Sequence, residues 1–299
     1  MTGNWSDISE EDILQANLDK YSQEHIIDFY RDYEEPQYLY EEYDVLFNAV
    51  INELKSTRGA QFKALDLCGG TGKGAFVVKR HAPKAQVSLV DLAPPMLDIA
   101  MERAQKEGID DLRIIAEDAF TFLERKELFD LIILSSAIHH FKDPVELITK
   151  AAKRLEIGGL IISIADPTTL IKSRRYKFME FLAVDKVQKQ ARVKARFSPR
   201  PEDNFDIAEY QTITGIDDHA LLSELKDYNI DALIHIRYPA GESKLTRLMV
   251  AMRLYWAFAT VLRRRSSVDE AGMRWRIHAE LQRGLAFPYQ SFIPLVKSR

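Results

Sequence analysis

Apolar residues along the first half of the chain gather in short runs with polar residues at their carboxyl ends. The runs are Ala64-Leu65-Asp66-Leu67, Gln86-Val87-Ser88-Leu89-Val90-Asp91, Leu112-Arg113-Ile114-Ile115-Ala116, Phe129-Asp130-Leu131-Ile132-Ile133-Leu134 and Leu160-Ile161-Ile162-Ser163-Ile164. Their length and β-branched content predict buried strands, and the stretches between them carry helical periodicity. Strands alternating with helices predict a parallel, doubly wound sheet whose ligand lies outside the carboxyl ends of the strands. Further on, Asp217 to Lys226 reads as a helix with an acidic start, and Ile230 to Ile236 as a sixth strand. Ser243 to Arg264 and Val268 to Gly284 read as two helices. The first is nearly all apolar from Leu245 to Leu262, broken by Thr246, Arg247, Arg253 and Thr260, and Arg263-Arg264-Arg265 follow it. It is too short and too charged to span a membrane. A buried wall, a dimer contact and a helix lying on a membrane surface with snorkelling arginines all remain open for it.

Between the first strand and the helix starting Ala75-Phe76-Val77 lies Cys68-Gly69-Gly70-Thr71-Gly72-Lys73-Gly74. Glycine lets backbone approach a ligand closely because it has no Cβ. The helix start beyond it presents unpaired N–H groups. Asp91 closes the second strand 25 residues after Asp66, where a carboxylate can accept hydrogen bonds from ribose hydroxyls. The third strand leads into Glu117-Asp118-Ala119 and the fourth into Ser135-Ser136-Ala137-Ile138-His139-His140-Phe141.

These segments (LDLCGGTGKG at 65–74, VDLAPPML at 90–97, AEDAF at 116–120, FDLIILSSAIHHF at 129–141 and RLEIGGLIISI at 154–164) resemble the class I S-adenosylmethionine-dependent methyltransferases. The resemblance is close over about residues 40–165. It implies a Rossmann-like, doubly wound, seven-stranded sheet, mostly parallel with the last strand antiparallel. That last strand is expected at Gln290 to Val296, although Pro294 would remove a ladder donor there. It implies S-adenosyl-L-methionine as cofactor. Asp66, Gly69, Gly70 and Gly72 would hold its methionine part and Asp91 the ribose. Leu92 and Met96 would lie against the adenine, Asp118 and Ala119 at its edge, Ser135 near the sulfonium, and Tyr43 over the cofactor. The family usually has glycine where this chain has Cys68.

The expected organisation is a helical N-terminal cap (1–60), a cofactor-binding core (61–165), a basic insertion acting as a lid (166–215), a core continuation (216–242), a two-helix insertion (243–285) and a terminal core strand (286–299). The charge pattern motivates the lid. Residues 1–44 hold thirteen acids against two bases, Lys20 and Arg31, together with Tyr21, Phe29, Tyr30, Tyr33, Tyr38, Tyr40 and Tyr43. Residues 172–200 hold ten bases against two acids, Glu180 and Asp185. Opposite charges could draw the two together over the cleft, although exposed ion pairs contribute little. A net charge of −4 gives no general preference for nucleic acid, so none is expected as a partner. One cysteine excludes a disulfide framework and a thiolate zinc cluster, and suits a cytoplasmic setting; no metal is expected.

A methyl group on a sulfonium is already activated, so its transfer needs positioning and sometimes a base. His139 and His140 are the base candidates, because histidine accepts a proton near neutral pH. Packing in the turn before Asp143-Pro144 is their plainer role. His25 and His219 are more distant candidates, and Arg174, Arg175 and Lys177 could hold an anionic group of an acceptor. The residues after the fourth strand lack the Asp/Asn-Pro-Pro-aromatic run associated with methylation of nucleic-acid amines. Cys68, committed to the turn, is not available for a cysteine-adduct route. The expected activity is methyl transfer to O, N or C of a small or lipophilic organic acceptor. The alternatives are a cofactor-binding scaffold without methyl transfer and an enzyme using the sulfonium for other chemistry. Peripheral membrane contact or a homodimer through 243–285 are the further partner expectations.

Overall fold

The computed structural model describes residues 8–32, 37–183, 205–208, 210–238, 244–265 and 270–284. Three helices come first, α1 (Glu10–Tyr21), α2 (Glu24–Asp32) and α3 (Gln37–Arg58). The alternating unit follows: β1 (Lys63–Leu67), α4 (Lys73–His81), β2 (Gln86–Asp91), α5 (Pro94–Glu107), β3 (Arg113–Ala116), α6 (Ala119–Leu123), β4 (Phe129–Ser135), α7 (Pro144–Ala152) and β5 (Leu155–Pro167). Next come α8 (Arg174–Ala183), two short helical turns within 205–214, α9 (Asp218–Leu225), β6 (Ile230–Tyr238), α10 (Lys244–Ala251), β7 (Ala257–Arg264) and α11 (Glu270–Gly284). The strands form one seven-stranded sheet of order β3-β2-β1-β4-β5-β7-β6. β1 to β5 run parallel, and β7 is antiparallel to both β5 and β6.

The strand pattern sorts side chains to the two faces of the sheet. Ala64, Leu131, Ile133, Leu160 and Ile162 point to the face covered by α3, α4 and α11. Leu65, Leu67, Ile132, Leu134 and Ile161 point to the face covered by α6, α7 and α9. Local signals set the helix ends. Asp143 caps α7 with its carboxylate while Pro144 takes the first helical position. α5 begins at Pro94-Pro95 and stops at Gly108, whose φ of +70° suits glycine.

The seventh strand is not where the sequence pattern put it. It is Ala257–Arg264, within the stretch read as a single helix from Ser243 to Arg264. Residues 290–296 lie outside the described residues, as does everything after Gly284. A strand buried on both faces is a continuous apolar run, and such a run carries no period that separates it from a buried helix. Here Ala257, Ala259 and Val261 pack on one face and Phe258 and Leu262 on the other. The helix stops at Ala251, and Arg253 turns the chain with a φ of +54°. The expected two-helix insertion at 243–285 is therefore a helix, a core strand and a helix. Arg263, expected to snorkel, is fully buried in β7.

One ion pair fastens α11 to α3. The Arg276 guanidinium donates to both Glu53 oxygens at 2.7 and 2.6 Å, and Glu53 is buried. Removing one partner of such a pair leaves an uncompensated charge, whereas removing both does not. Arg276→Ala should cost about 3 kcal/mol, and Glu53→Leu/Arg276→Leu should recover most of it in chemical denaturation. Equal losses in the single and double variants would refute that role.

Candidate active site

The carboxyl tips of β1, β2, β3 and β4 form the floor of a cleft of about 250 Å³, and α1, α2 and α3 roof it. The floor is built around a buried carboxylate. Asp66, on β1, is fully buried beneath the glycine turn, and its Oδ2 accepts a hydrogen bond from the Ala75 backbone N–H at 2.7 Å. Its Oδ1 is buried with no hydrogen-bond partner among the described residues. Burial raises its pKa to about 7 against the lowering effect of the Ala75 N–H, and nearby Asp91 adds to the rise.

This carboxylate explains two of the glycines. A Cβ on Gly69 would stand 2.3 Å from Leu89 Cδ1 and 2.6 Å from Asp66 Cγ, and one on Gly74 would stand 2.8 Å from Asp66 Oδ1. Neither approach is sterically open to a larger residue. Gly72 serves differently: with φ of +85° it caps α4, and its N–H donates to Gly69 O at 2.8 Å.

Asp91 receives the Gly70 N–H on Oδ2 at 2.8 Å and the Ala93 N–H on Oδ1 at 2.9 Å. Burial still raises its pKa, outweighing those donors. Leu92, Met96, Asp118 and Ala119 line the same end of the cleft. Asp118 also caps α6, accepting from Thr121 N–H at 3.0 Å. At the other end Ser135 Oγ lies 2.8 Å from the Tyr43 hydroxyl, and Lys73 Nζ sits 3.8 Å above the Tyr43 ring. Gly69, Gly70, Asp91, Leu92, Met96, Asp118, Ala119, Ser135 and Tyr43 are thus gathered on one cleft. Asp66 and Gly72 support it from beneath and behind.

The two histidines divide. His140 lines the cleft, with Nε2 3.3 Å from the Tyr21 hydroxyl. Burial, then the neighbouring His139 and Lys20, push its pKa well below the ordinary 6.5, so its ring is neutral at pH 7. His139 is buried behind it, rings 4.0 Å apart, with Nδ1 2.8 Å from Asp166 Oδ1. Asp166 is fully buried and also accepts from Ser163 Oγ at 3.2 Å. Burial lowers Lys20 to about 8 and raises the Tyr21 phenol well above 10.

Several residues of the cleft lie outside the strand-tip motifs. Leu14, Asn17 and Leu18 of α1 line the roof, together with Tyr21 and Tyr30. The density of tyrosines in an acidic N-terminal segment was the available signal. His25 is exposed on α2, and His219 lies against His235, 5.9 Å between rings. Arg174, Arg175 and Lys177 are exposed on α8, which packs on α10. The Tyr33 residue and the side chains of Tyr38 and Tyr40 lie outside the described residues, as do 184–204 of the basic insertion.

In fold and site the chain is similar to the class I S-adenosylmethionine-dependent methyltransferases. Residues 64–159 match the family model described as a methyltransferase domain. The chain is 35% identical over 100 residues to the mitochondrial 2-methoxy-6-polyprenyl-1,4-benzoquinol methylase of Caenorhabditis elegans, covering 32% of this chain and 35% of that one. It is 31% identical over 105 residues to the demethylmenaquinone methyltransferase of Thermus thermophilus, covering 35% of this chain and 47% of that one. The chain thus spans less than half the length of these curated relatives. A solved magnesium protoporphyrin IX methyltransferase from Synechocystis PCC 6803, with bound SAH, shares the fold at a TM-score of 0.53 and 12% identity, covering 85% of this chain and all of that one.

Cys68 stands at φ +57°, the left-handed region that glycine occupies without cost. Burial, and then the carboxylates of Asp91, Asp66, Asp118 and Asp166, push its thiol well above 9, so it is a poor nucleophile. Cys68→Gly should be neutral or stabilising by up to about 1 kcal/mol, while β-branched Cys68→Val should cost more than about 2 kcal/mol. Denaturation midpoints check this, and a large loss in the glycine variant would show that the thiol's packing outweighs the backbone strain.

Proposed function

We propose that this chain binds S-adenosyl-L-methionine and transfers its methyl group to a small, lipophilic organic acceptor. The observation that carries the reading is the cleft at the strand tips, floored by the glycine turn over buried Asp66 and lined by the carboxylates of Asp91 and Asp118. A ligand bearing an ammonium and a sulfonium answers that charge. In this reading Asp66 and the turn from Gly69 and Gly70 to Gly72 hold the amino-acid end, and Asp91 holds the ribose hydroxyls. Leu92 and Met96 flank the adenine, Asp118 and Ala119 meet its edge, and Ser135 with Tyr43 closes over the sulfonium end. When bound, the cofactor supplies an activated methyl; the protein supplies position and a dry site.

The remainder of the cleft is mainly apolar and aromatic, with Leu14, Leu18, Tyr21, Tyr30 and Phe141 around His140, and Glu10 and Asn17 as its polar groups. That lining suits a lipophilic ring. A histidine kept neutral is a weak base, matched to an acceptor whose own proton is acidic, as on a phenol or an enolisable ring carbon. The benzoquinol in the name of one relative has that chemistry. His139 acts through His140, its ring held by Asp166. None of the described helices is long and apolar enough to cross a membrane. The free thiol of Cys68 suits a cytoplasmic setting. With β7 inside the sheet, contact with a membrane or a second copy through 243–285 rests on α10 and α11.

Calorimetry with S-adenosylhomocysteine should show one site, weakened at least about tenfold in Asp91→Asn, which removes a charged acceptor. No heat with either form of the cofactor would refute the reading. With phenolic or quinol acceptors and labelled S-adenosylmethionine, His140→Ala should lower kcat about 100-fold or more while leaving cofactor affinity near wild type. Unchanged kcat would remove His140 from the chemistry.

A further inference from the structure

The outward face of α8 has the wrong polarity for a helix in water. Its inner face packs Tyr176 and Met179 against Met249 and Leu254. Its opposite face should then be polar. Instead Phe178 is 63% exposed, Phe181 69% and Leu182 47%. The neighbouring α10 and the residue after it add Leu248 and Met252, one helical turn apart and each nearly half exposed. Of the nine large apolar side chains exposed among the described residues, four fall on these two packed helices and a fifth, Met252, directly follows α10, which is clustering rather than the scatter normal for a surface.

Cations surround the patch. Lys172, Arg174, Arg175 and Lys177 are all exposed at the start of α8, and Arg253 is exposed beside Met252. None of the four on the α8 side has an ion-pair partner among the described residues, and Glu180 is the sole acid in the α8 sequence. The whole chain carries −4, so this basic collar is a local feature. Its position also matters. α8 leaves the carboxyl end of β5 through a short turn at Thr169–Lys172, and α10 precedes the start of β7, which pairs with Pro167. Both helices therefore sit at the sheet edge on which the cleft opens.

We infer that the α8–α10 face docks the protein on an anionic membrane surface, with Phe178, Phe181 and Leu182 entering the headgroup–acyl boundary and the collar binding lipid phosphates. Exposed aromatics ringed by lysine and arginine match that boundary in both depth and charge. A protein partner would have to supply an apolar groove and an acidic rim together; a leaflet of anionic lipid supplies both without further structure. The inference deepens the reading of a lipophilic acceptor, since docking would bring the cleft edge to the phase where such an acceptor dissolves, but it stands on the surface alone.

The test is co-sedimentation of the full chain with phosphatidylcholine vesicles and with vesicles containing phosphatidylglycerol, at low and at 0.5 M salt. Binding should require the anionic lipid and weaken with salt. Phe178→Ser/Phe181→Ser should weaken it at least about tenfold. Arg174→Gln and Lys177→Gln, exposed changes that leave folding intact, should each weaken it about fivefold. Absence of wild-type binding to anionic vesicles at low salt would overturn the inference. So would a wild-type dimer in light scattering that the serine variant dissociates while vesicle binding stays unchanged. Calorimetry with S-adenosylhomocysteine on the same samples separates this outcome from a failure of the cofactor site.

Discussion

A carboxylate buried without a compensating cation is the constraint around which this site is built. Asp66 lies at the tip of a central strand, fully enclosed, with one oxygen satisfied by Ala75 N–H and the other by nothing among the described residues. Burying an unpaired charge is costly, and the fold answers by raising its pKa to about 7. The turn above cannot carry side chains at 69 or 74 because the same carboxylate fills that space. One group thus dictates the glycines at 69 and 74 and narrows the turn above it.

The second layer of the site is contributed from outside the core. The sheet provides the floor, but α1 and α2 supply the leucines and tyrosines that turn an open crevice into a lined cleft. The same helices bury Lys20 and Tyr21 next to His140 and keep that histidine neutral. Behind it, the Asp166–His139 pair fixes the neighbouring ring from β5. The surroundings of His140 are therefore set by contacts between the N-terminal helices and the ends of β4 and β5, which are far apart in sequence.

The parallel half of the sheet was legible because its strands are short apolar runs followed by polar residues, and Asp91, Asp118 and Ser135 at those ends line the cleft while Asp66 lies beneath it. The antiparallel strand was not. β7 is apolar on both faces, so Ala257 to Leu262 lacks the alternation that marks a strand, and it reads as the continuation of α10. Arg263 adds to the ambiguity, since three successive arginines suggest solvent, yet the first is enclosed. The roles of His139 and His140 could not be separated in sequence either. Adjacent residues in a 3₁₀ turn point different ways, and only Asp166, 27 positions on, decides which one is held back. Tyr21 and Tyr30 were visible as aromatics, but their place over the cleft depends on helix packing that no local pattern encodes.

The dependence of S-adenosylhomocysteine affinity on pH tests the buried carboxylate most directly. In the proposed reading the ionised form of Asp66, beneath the turn, stabilises the ligand's cationic end, so below the raised pKa each lost pH unit must first be spent removing a proton. Affinity should rise close to tenfold per unit from about pH 5.5 to about 7 and flatten above that, and Asp66→Asn should bind weakly with that slope removed. Wild-type affinity that does not change across this range, or an Asp66→Asn variant keeping the full slope, would contradict the account.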